Sequence, residues 1–588
     1  MPEHLRSDAH PTAAGRGRPP GARVALAAAL FAIAAASTAL AVADRASAKK
    51  ERRPNVVVIM TDDQTVESMR VMDTVDATLA ERGVTFANSY ANFPLCCPSR
   101  ATLLTGQYAH NHGTLGNAAP EGGFAKFTAD HGANTLPTWL QGAGYSTTLI
   151  GKYLNGYGGD GGETFVPPGW SEWYAAVLQA QRVYDYTLNE NGALVRYGEA
   201  PADFKQDVIT NRAVDVINRR APARQPFFIF ASYTAPHGGQ NPTSNPPSEC
   251  ETTAQPAPRH ADVFDSEPLP QPPSFDETDV SDKPTDIQSR DPITAAQRDQ
   301  ITTRYRCRLG SLLSVDEGVG RIVSALRSHG ELGDTLILYT ADNGFFGGEH
   351  RVQNGKTRHY EPSSRVPLVV RGPGVPEGKT ARELAVNADL AKTIVDATGA
   401  SPGLNLDGRS LLGLAAEPKR ERGREILIET RTYSALRNAR FKYVEHTSGS
   451  NEGQIELYDL ERDPFELQSQ HANPAFDALE AQLAARLHAL RDCAGTGCRT
   501  KPALKLKLRK RRGCVPRRAR ARVKGADASG VGKVTFEVDG KRAGSDGDSP
   551  FKERLSKLKR GRKSKVRAVP EMTDGRVVDL TKKARGCR

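Results

Sequence analysis

The sequence predicts an α/β protein: a mainly parallel sheet flanked by helices, followed by a smaller antiparallel sheet and a basic all-β domain. Three observations carry this expectation. Continuous apolar runs alternate with helical patterns, as strands buried on both faces of a parallel sheet require. After residue 426 the runs shorten and acquire the half-polar alternation of antiparallel strands. Charge is segregated as well: residues 499–588 hold 30 Lys+Arg against 9 Asp+Glu, and the remainder holds 50 against 59. The net charge of +12 therefore belongs to a tail, and the body is mildly acidic. At 588 residues the chain exceeds one ordinary domain, and its apolar fraction is that of a soluble globular protein.

The N-terminus comes first in the chain. Arg16, Arg18 and Arg23 precede an Ala-rich apolar run at 24–43, and Ala46-Ser47-Ala48 has the small-x-small form of a signal-peptidase site. Residues 1–48 read as a signal peptide and 49–53 as a linker, which puts the body outside the cytoplasm. The alternative is an uncleaved membrane anchor, because the run nears the length of a spanning helix. The eight cysteines suit an oxidising compartment. The local pairing is Cys250 with Cys307, Cys493 with Cys498 and Cys514 with Cys587, although spacing does not determine connectivity. No CxxC pair has metal-ligand spacing, which argues against a zinc ribbon.

Five strand-like runs follow. Residues 55–60 (NVVVIM) end in Thr61-Asp62-Asp63, 146–150 in Gly151-Lys152-Tyr153, and 227–232 in Ala235-Pro236-His237. Residues 335–339 end in Ala341-Asp342-Asn343-Gly344, and 366–370 in Arg371-Gly372. Helical patterns at 136–142 and 309–328 lie between them. In open α/β sheets, ligands bind beyond the carboxyl ends of strands, and four of these runs deliver an acid, a lysine or a histidine there. The stretch CCPSRATLLTG, Cys96 to Gly106, adds a helix start. Pro98 suits the first helical position, and the free backbone donors beside Cys96, with Arg100 one turn in, make an anion site.

The residue types suggest chemistry. Asp62, Asp63, Asp342 and Asn343 offer oxygen ligands, which suit calcium or magnesium rather than zinc. A single aspartate pair at a strand end more commonly caps a helix; two pairs on separate strands of one sheet favour a metal. Arg100, Lys152, His237 and Lys356 could surround an anionic ester, although either lysine alone would read as a solvated surface group. These residues together indicate metal-assisted hydrolysis of a phosphate or sulfate ester.

The stretch CCPSRATLLTG resembles the sulfatase signature Cys-x-Pro-Ser-Arg-x-x-x-Leu-Thr-Gly at every fixed position. NVVVIMTDDQ, IGKYLNGYG, PGW, SYTAPH, LLSVDEGV, YTADNG and RVPLVVRGPG resemble further sulfatase landmarks in the same order, over residues 54–491. CCPSR, GKYLN and LLSVD are most similar to the N-acetylglucosamine-6-sulfatases and glucosamine-6-endosulfatases. The resemblance implies the alkaline-phosphatase-like fold and conversion of Cys96 to formylglycine by a formylglycine-generating enzyme. It implies one calcium ion held by Asp62, Asp63, Asp342, Asn343 and the modified Cys96. Arg100, Lys152 and Lys356 would position formylglycine and sulfate, and His237 would contact the sulfate or act as an acid. The implied substrate is a sulfated saccharide, with an aryl sulfate or a phosphate or phosphonate ester as the alternative. Many sulfatases carry a histidine two residues after the GK lysine; Leu154 stands there and Asn155 follows, a form shared with the glucosamine-6-sulfatase group. Glu349, His350, Arg351, His359 and Tyr360 stand where they could touch substrate.

The resulting domains are a catalytic domain at 54–425, a C-terminal subdomain at 426–492 and a basic β-rich domain at 493–588. The Pro-, Ser- and Asp-rich segment 240–299 reads as a surface insertion. In the tail, alternation at 519–523, 531–538 and 576–580, with Asp539-Gly540 and Asp574-Gly575 as turn signals, points to an immunoglobulin-like sandwich. Its charge could bind acidic glycans, anionic cell-wall polymers or, without sequence specificity, nucleic acid, and the alternative is a solvated basic spacer domain.

Overall fold

The computed structural model describes residues 53–587 except 160–161, 179, 240–248, 251–252, 500, 517–518 and 556–557. The expected signal peptide and most of the linker lie outside the described residues.

A ten-stranded sheet forms the centre. Its strands are β1 (Asn55–Thr61), β2 (Val84–Phe86), β3 (Ser146–Gly151), β4 (Glu172–Ala176), β5 (Tyr186–Glu190), β6 (Ala193–Tyr197), β7 (Phe227–Ser232), β8 (Thr335–Ala341), β9 (Leu368–Arg371) and β10 (Lys379–Ala381). The order is β10-β2-β9-β8-β1-β7-β3-β4-β5-β6, and the run from β8 to β4 is parallel throughout. The strands that end in Asp342, Asp62, the His237 loop and Lys152 are therefore consecutive neighbours, and their carboxyl ends share one edge. The fifth expected strand differs. β9 runs antiparallel to β8, so its Arg371-Gly372 end lies at the opposite edge.

Alternation along β1 divides the core, because successive side chains point to opposite faces. Val57 and Ile59 pack under α3 (Lys205–Arg220) and α4 (Ala295–Ser328), with Ile209, Leu312 and Val319. Val56 and Val58 pack with Leu103, Leu140 and Ile394 of α1 (Cys96–Thr105), α2 (Leu136–Gly142) and α5 (Ala388–Thr398). Burial on both faces is why the strands read as unbroken apolar runs. The segment 240–299 is more than a surface insertion: Phe275 and Ile293 pack on Ile301, and Val280 and Ile287 on Phe346 and Tyr458. Among the described residues, no helix is long and apolar enough to cross a membrane.

The second sheet is an antiparallel meander of β11 (Ile426–Glu429), β12 (Tyr433–Arg437), β13 (Phe441–His446) and β14 (Ile455–Asp459). Helix α6 (Asp477–Arg491) covers it with Leu483, Leu487 and Leu490. The tail contains two antiparallel sheets. One orders β15 (Leu504–Leu508), β16 (Arg520–Gly525) and β19 (Lys552–Arg554); the other orders β18 (Lys541–Asp546), β17 (Val531–Val538), β20 (Lys563–Met572) and β21 (Leu580–Arg585). Leu506 and Val523 from the first meet Phe536, Val566 and Ala568 from the second in one core. The expected strand at 576–580 is displaced to β21. Residues before it are held by the C-terminal subdomain, where Asn438 donates to the Asp574 carbonyl at 2.8 Å and Arg486 pairs with the Asp574 carboxylate at 3.1 Å. Disulfides join Cys250–Cys307, Cys493–Cys498 and Cys514–Cys587, as the spacing suggested.

Candidate active site

Helix α1 enters from the extended residue Leu95, so Cys96 takes the first helical position and Pro98 the third rather than the first. The substitution costs nothing, because none of the first N–H groups of a helix has an intrahelical partner. Every residue of α1 is buried. The Cys97 amide donates to Asn117 Oδ1 at 3.0 Å, while Cys97 itself is a buried free thiol. Cys96 Sγ donates to Asp62 Oδ1 at 3.3 Å and accepts from Lys356 Nζ at 2.9 Å. Burial, then the neighbouring Asp62 charge, pushes the Cys96 thiol up to about 12 against the pull of Lys152 and Lys356. The unmodified side chain is thus a protonated thiol rather than a thiolate nucleophile.

The carboxylates converge around it. Asp62 accepts from Lys152 and lies 3.7 Å from Arg100 Nη2. Burial disfavours its charge, but Lys152, His237, Arg100 and Lys356 outweigh burial and hold it well below the usual carboxylate range. Asp342 accepts from Arg100 Nε at 2.8 Å, and burial and Asp62 nevertheless raise it. Asp63 has φ +68°, a region that non-glycine residues visit rarely. It is held there by its own N–H to Asp342 Oδ1 at 3.1 Å, by Asn343 Nδ2 on its carboxylate at 2.6 Å, and by Lys356. Such strain persists where surrounding bonds over-determine it.

The cations are placed with equal specificity. Gly151 at φ +100° faces the Ser232 carbonyl so closely that a Cβ would collide with it, and this turn brings the buried Lys152 onto Asp62. Arg100 Nη1 donates to Ser232 Oγ at 2.7 Å and to the Lys152 carbonyl at 3.0 Å. His237 follows a cis Ala235–Pro236 bond, stays partly open to solvent, and has Nε2 3.7 Å from Asp63 Oδ2. Each site residue expected from the sequence is therefore found in one cluster.

The cluster fits a divalent cation. Donor atoms of Asp62, Asp63, Cys96 and His237 lie within 4.8 Å of one another. Asn343 Oδ1 is buried with no hydrogen-bond partner among the described residues, and a bound cation would satisfy such an orphaned acceptor. Carboxylate and amide oxygens are calcium-type ligands.

Arg308 was missed by sequence reasoning. It donates to the carbonyls of Asp63 and Pro236 and stacks 4.2 Å from the Phe345 ring centre. The readable apolar period begins at Leu309, whereas α4 starts at Ala295; the preceding turns face a cavity, and periodicity does not mark them. That cavity, about 500 Å³, is lined by Arg182, Gly238, Arg304, Arg308 and Phe345. The 349–360 loop departs from expectation. His350 is buried against Glu277 at 2.6 Å, and His359 and Tyr360 are buried against Glu456 at 2.8 and 2.7 Å. Arg351 is spent on the carbonyls of Glu277, Thr278 and Arg290. Glu349 of that group borders a cavity, together with Glu67, Ser274 and Phe346.

A sulfatase family model matches residues 54–400. The chain belongs to the sulfatase family. A model of the C-terminal region of N-sulphoglucosamine sulphohydrolase also matches residues 348–493 of this sulfatase. An N-acetylglucosamine-6-sulfatase of Capra hircus is 32% identical over 502 residues, covering 77% of this chain and 86% of the relative. An extracellular sulfatase SULF-1 homolog of Drosophila melanogaster is 33% identical over 378 residues, covering 63% of this chain. The chain spans 55% of the length of the corresponding Caenorhabditis elegans relative and 32% of the fly protein. Among solved structures, one described in complex with its substrate D-glucosamine-2-N,6-O-disulfate has a TM-score of 0.62 at 24% identity, covering 74% of this chain and 97% of that one. At that identity the likeness concerns the fold, here the alkaline-phosphatase-like sulfatase fold.

Proposed function

We propose that this sulfatase hydrolyses sulfate monoesters of saccharides, with the 6-O-sulfate of N-acetylglucosamine or a related sugar as substrate. The observation that carries the reading is Cys96, buried at the start of α1 between Asp62 and Lys356 and within a complete sulfatase signature. Formylglycine at position 96, made by a formylglycine-generating enzyme, would supply the nucleophile toward sulfur as its hydrate. Calcium would be held by Asp62, Asp63, Asp342, Asn343 and residue 96, and would supply Lewis-acid activation there.

The chain's own residues do the rest. Lys152 and Arg100 hold Asp62 ionised, and Arg100 fixes Asp342 in position. Lys356 lies against residue 96 and can offset charge on the sulfuryl oxygens. His237, the solvent-facing member of the cluster, is placed to give the departing sugar alcohol a proton. Three disulfides fit secretion to an oxidising compartment. We divide the chain functionally into the catalytic domain, the C-terminal subdomain and the basic domain at the limits given above.

The test pairs mass spectrometry of the Cys96 peptide with sulfate release from 6-sulfated N-acetylglucosamine. The expected result is a residue lighter than cysteine, bearing CHO in place of CH2–SH, and activity abolished in Cys96→Ala. Unmodified cysteine in active protein would falsify the mechanism. A phosphonate monoester hydrolase of Silicibacter pomeroyi shares the fold at a TM-score of 0.57. A large preference for aryl phosphonate over sulfate ester would therefore favour that second reading.

A further inference from the structure

The exposed face of the three-stranded tail sheet is cationic across all three of its strands. In β15 and β16, Lys505 stands directly opposite Lys524, and Lys507 opposite Arg522. In β16 and β19, Arg522 stands opposite Lys552 and Arg520 opposite Arg554. Directly paired residues share a face, so Lys505, Lys507, Arg520, Arg522, Lys524 and Arg554 project to one side, and all are exposed. The other side carries Leu504, Leu506, Ala521 and Val523, which enter the sandwich core. Among the described residues none of those six cations forms an ion pair with a carboxylate. At the margin, the Lys552 amide donates to Asp546 at 2.8 Å. Neighbouring strands are about 4.8 Å apart and alternate residues about 6.8 Å apart, so each cation lies within one Debye length of its nearest neighbours.

Like charges directly opposite in a sheet are destabilising. The four-stranded sheet shows the usual remedy: Lys533 stands opposite Glu571, and Glu537 pairs with Arg567 at 3.2 Å. It also holds two stacked cationic pairs, Lys563–Arg585 and Lys565–Lys583, beside Asp539, which accepts the Lys565 amide at 2.8 Å. The three-stranded face interleaves no acid among its cations. Water and small counterions screen that repulsion, and a polyanion lying along the face would displace those counterions.

We propose that this face binds an extended sulfated polysaccharide and tethers the enzyme to its polymeric substrate. The choice of a sulfated glycan over a nucleic acid rests on the proposed sulfatase activity and on the three disulfides, which suit compartments outside the cytoplasm. Cations in rows across three strands suit a polymer chain rather than a single small anion. Tethering raises the local concentration of sulfate esters around the catalytic cluster without adding a contact there.

The experiment measures binding of full-length protein to heparin at several salt concentrations, and hydrolysis of a monosulfated sugar and a sulfated polymer. The triple variant Lys507→Glu/Arg520→Glu/Arg522→Glu is compared with Lys563→Glu/Lys565→Glu/Lys583→Glu on the other sheet. The first is expected to weaken heparin binding at least about tenfold and to flatten its salt dependence. It should also lower kcat/KM on polymer while leaving the monosulfated sugar unchanged; the second should change binding less than about threefold. Glutamine versions of the first triple, which keep side-chain length without reversing charge, should fall between. Equal losses from both triples, unchanged heparin binding in the first, or tighter binding of double-stranded DNA than of heparin would overturn the proposal. Heparin binding is read whether or not sulfate is released, so an absent sulfatase activity and an absent polymer face give different results.

Discussion

Arg100 concentrates the argument at the residue scale. It is a fully buried guanidinium bonded to Asp342 at 2.8 Å and near Asp62 at 3.7 Å, inside a helix with no other charge. Removing it strands the buried Asp342 carboxylate, while Asp62 keeps Lys152, and removing one partner of a buried pair costs about 3–5 kcal/mol. Arg100→Met should therefore lower the urea midpoint strongly and abolish turnover. Arg100→Lys keeps the charge but not the planar fork, so it should recover more of the midpoint than of kcat. The metal makes a second prediction at this scale. Calcium that binds the native cluster alone should raise the melting temperature in a concentration-dependent way, by mass action. Asn343→Ala, which removes the orphaned buried acceptor, should blunt that rise, and it should also lower the melting temperature in excess chelator because Asn343 no longer donates to Asp63.

At the scale of elements, the catalytic domain and the second sheet are locked by a short helix, Ala109–His112. His110 Nδ1 meets Glu429 of β11 at 3.0 Å, and Nε2 donates to the Cys493 carbonyl at 2.9 Å. Burial lowers the imidazole pKa, but Glu429 more than offsets it, and the group is raised from 6.5 to about 8. A raised histidine stabilises the fold fully below its unfolded value, and the contribution disappears as pH climbs through the folded value. The wild-type denaturation midpoint should thus decline between pH 6.5 and about 8 more steeply than that of His110→Gln, with the two curves converging above. Parallel slopes across that window would remove His110 as the cause.

At the scale of the molecule, the tail is closed on itself by Cys514–Cys587, a separation of 73 residues. A loop of that size constrains the unfolded chain by about 4 kcal/mol on the chain-entropy estimate. Replacing both cysteines by serine should lower the stability of the tail by up to that amount, seen as an earlier transition in calorimetry. Hydrolysis of a small sulfated sugar should be unaffected, because the catalytic cluster lies wholly within residues 62–356. Loss of small-substrate turnover in that variant would show that the tail supports the cluster directly.

Much of the cluster was legible because it sits at strand ends: buried parallel strands announce themselves as apolar runs, and the polar residue that breaks each run marks the ligand-binding edge. Asp62, Lys152, His237 and Asp342 were accessible in this way, and the long CCPSR signature supplied Cys96 and Arg100. The reversed direction of β9, the depth of the 274–293 segment, Arg308 and the burial of His350 and His359 were not legible. Each depends on what a residue faces across the fold rather than on its neighbours in the chain. A one-dimensional period records which side of an element is apolar; it does not record whether a polar residue on that side meets solvent, a carboxylate or a cavity. The charge balance of the tail is likewise plain in the sequence. Only strand register reveals that the three-stranded sheet stacks its cations across all three strands, whereas the four-stranded sheet mixes stacked cations with cation–acid pairs, because that arrangement is a property of cross-strand distances of about 5 Å.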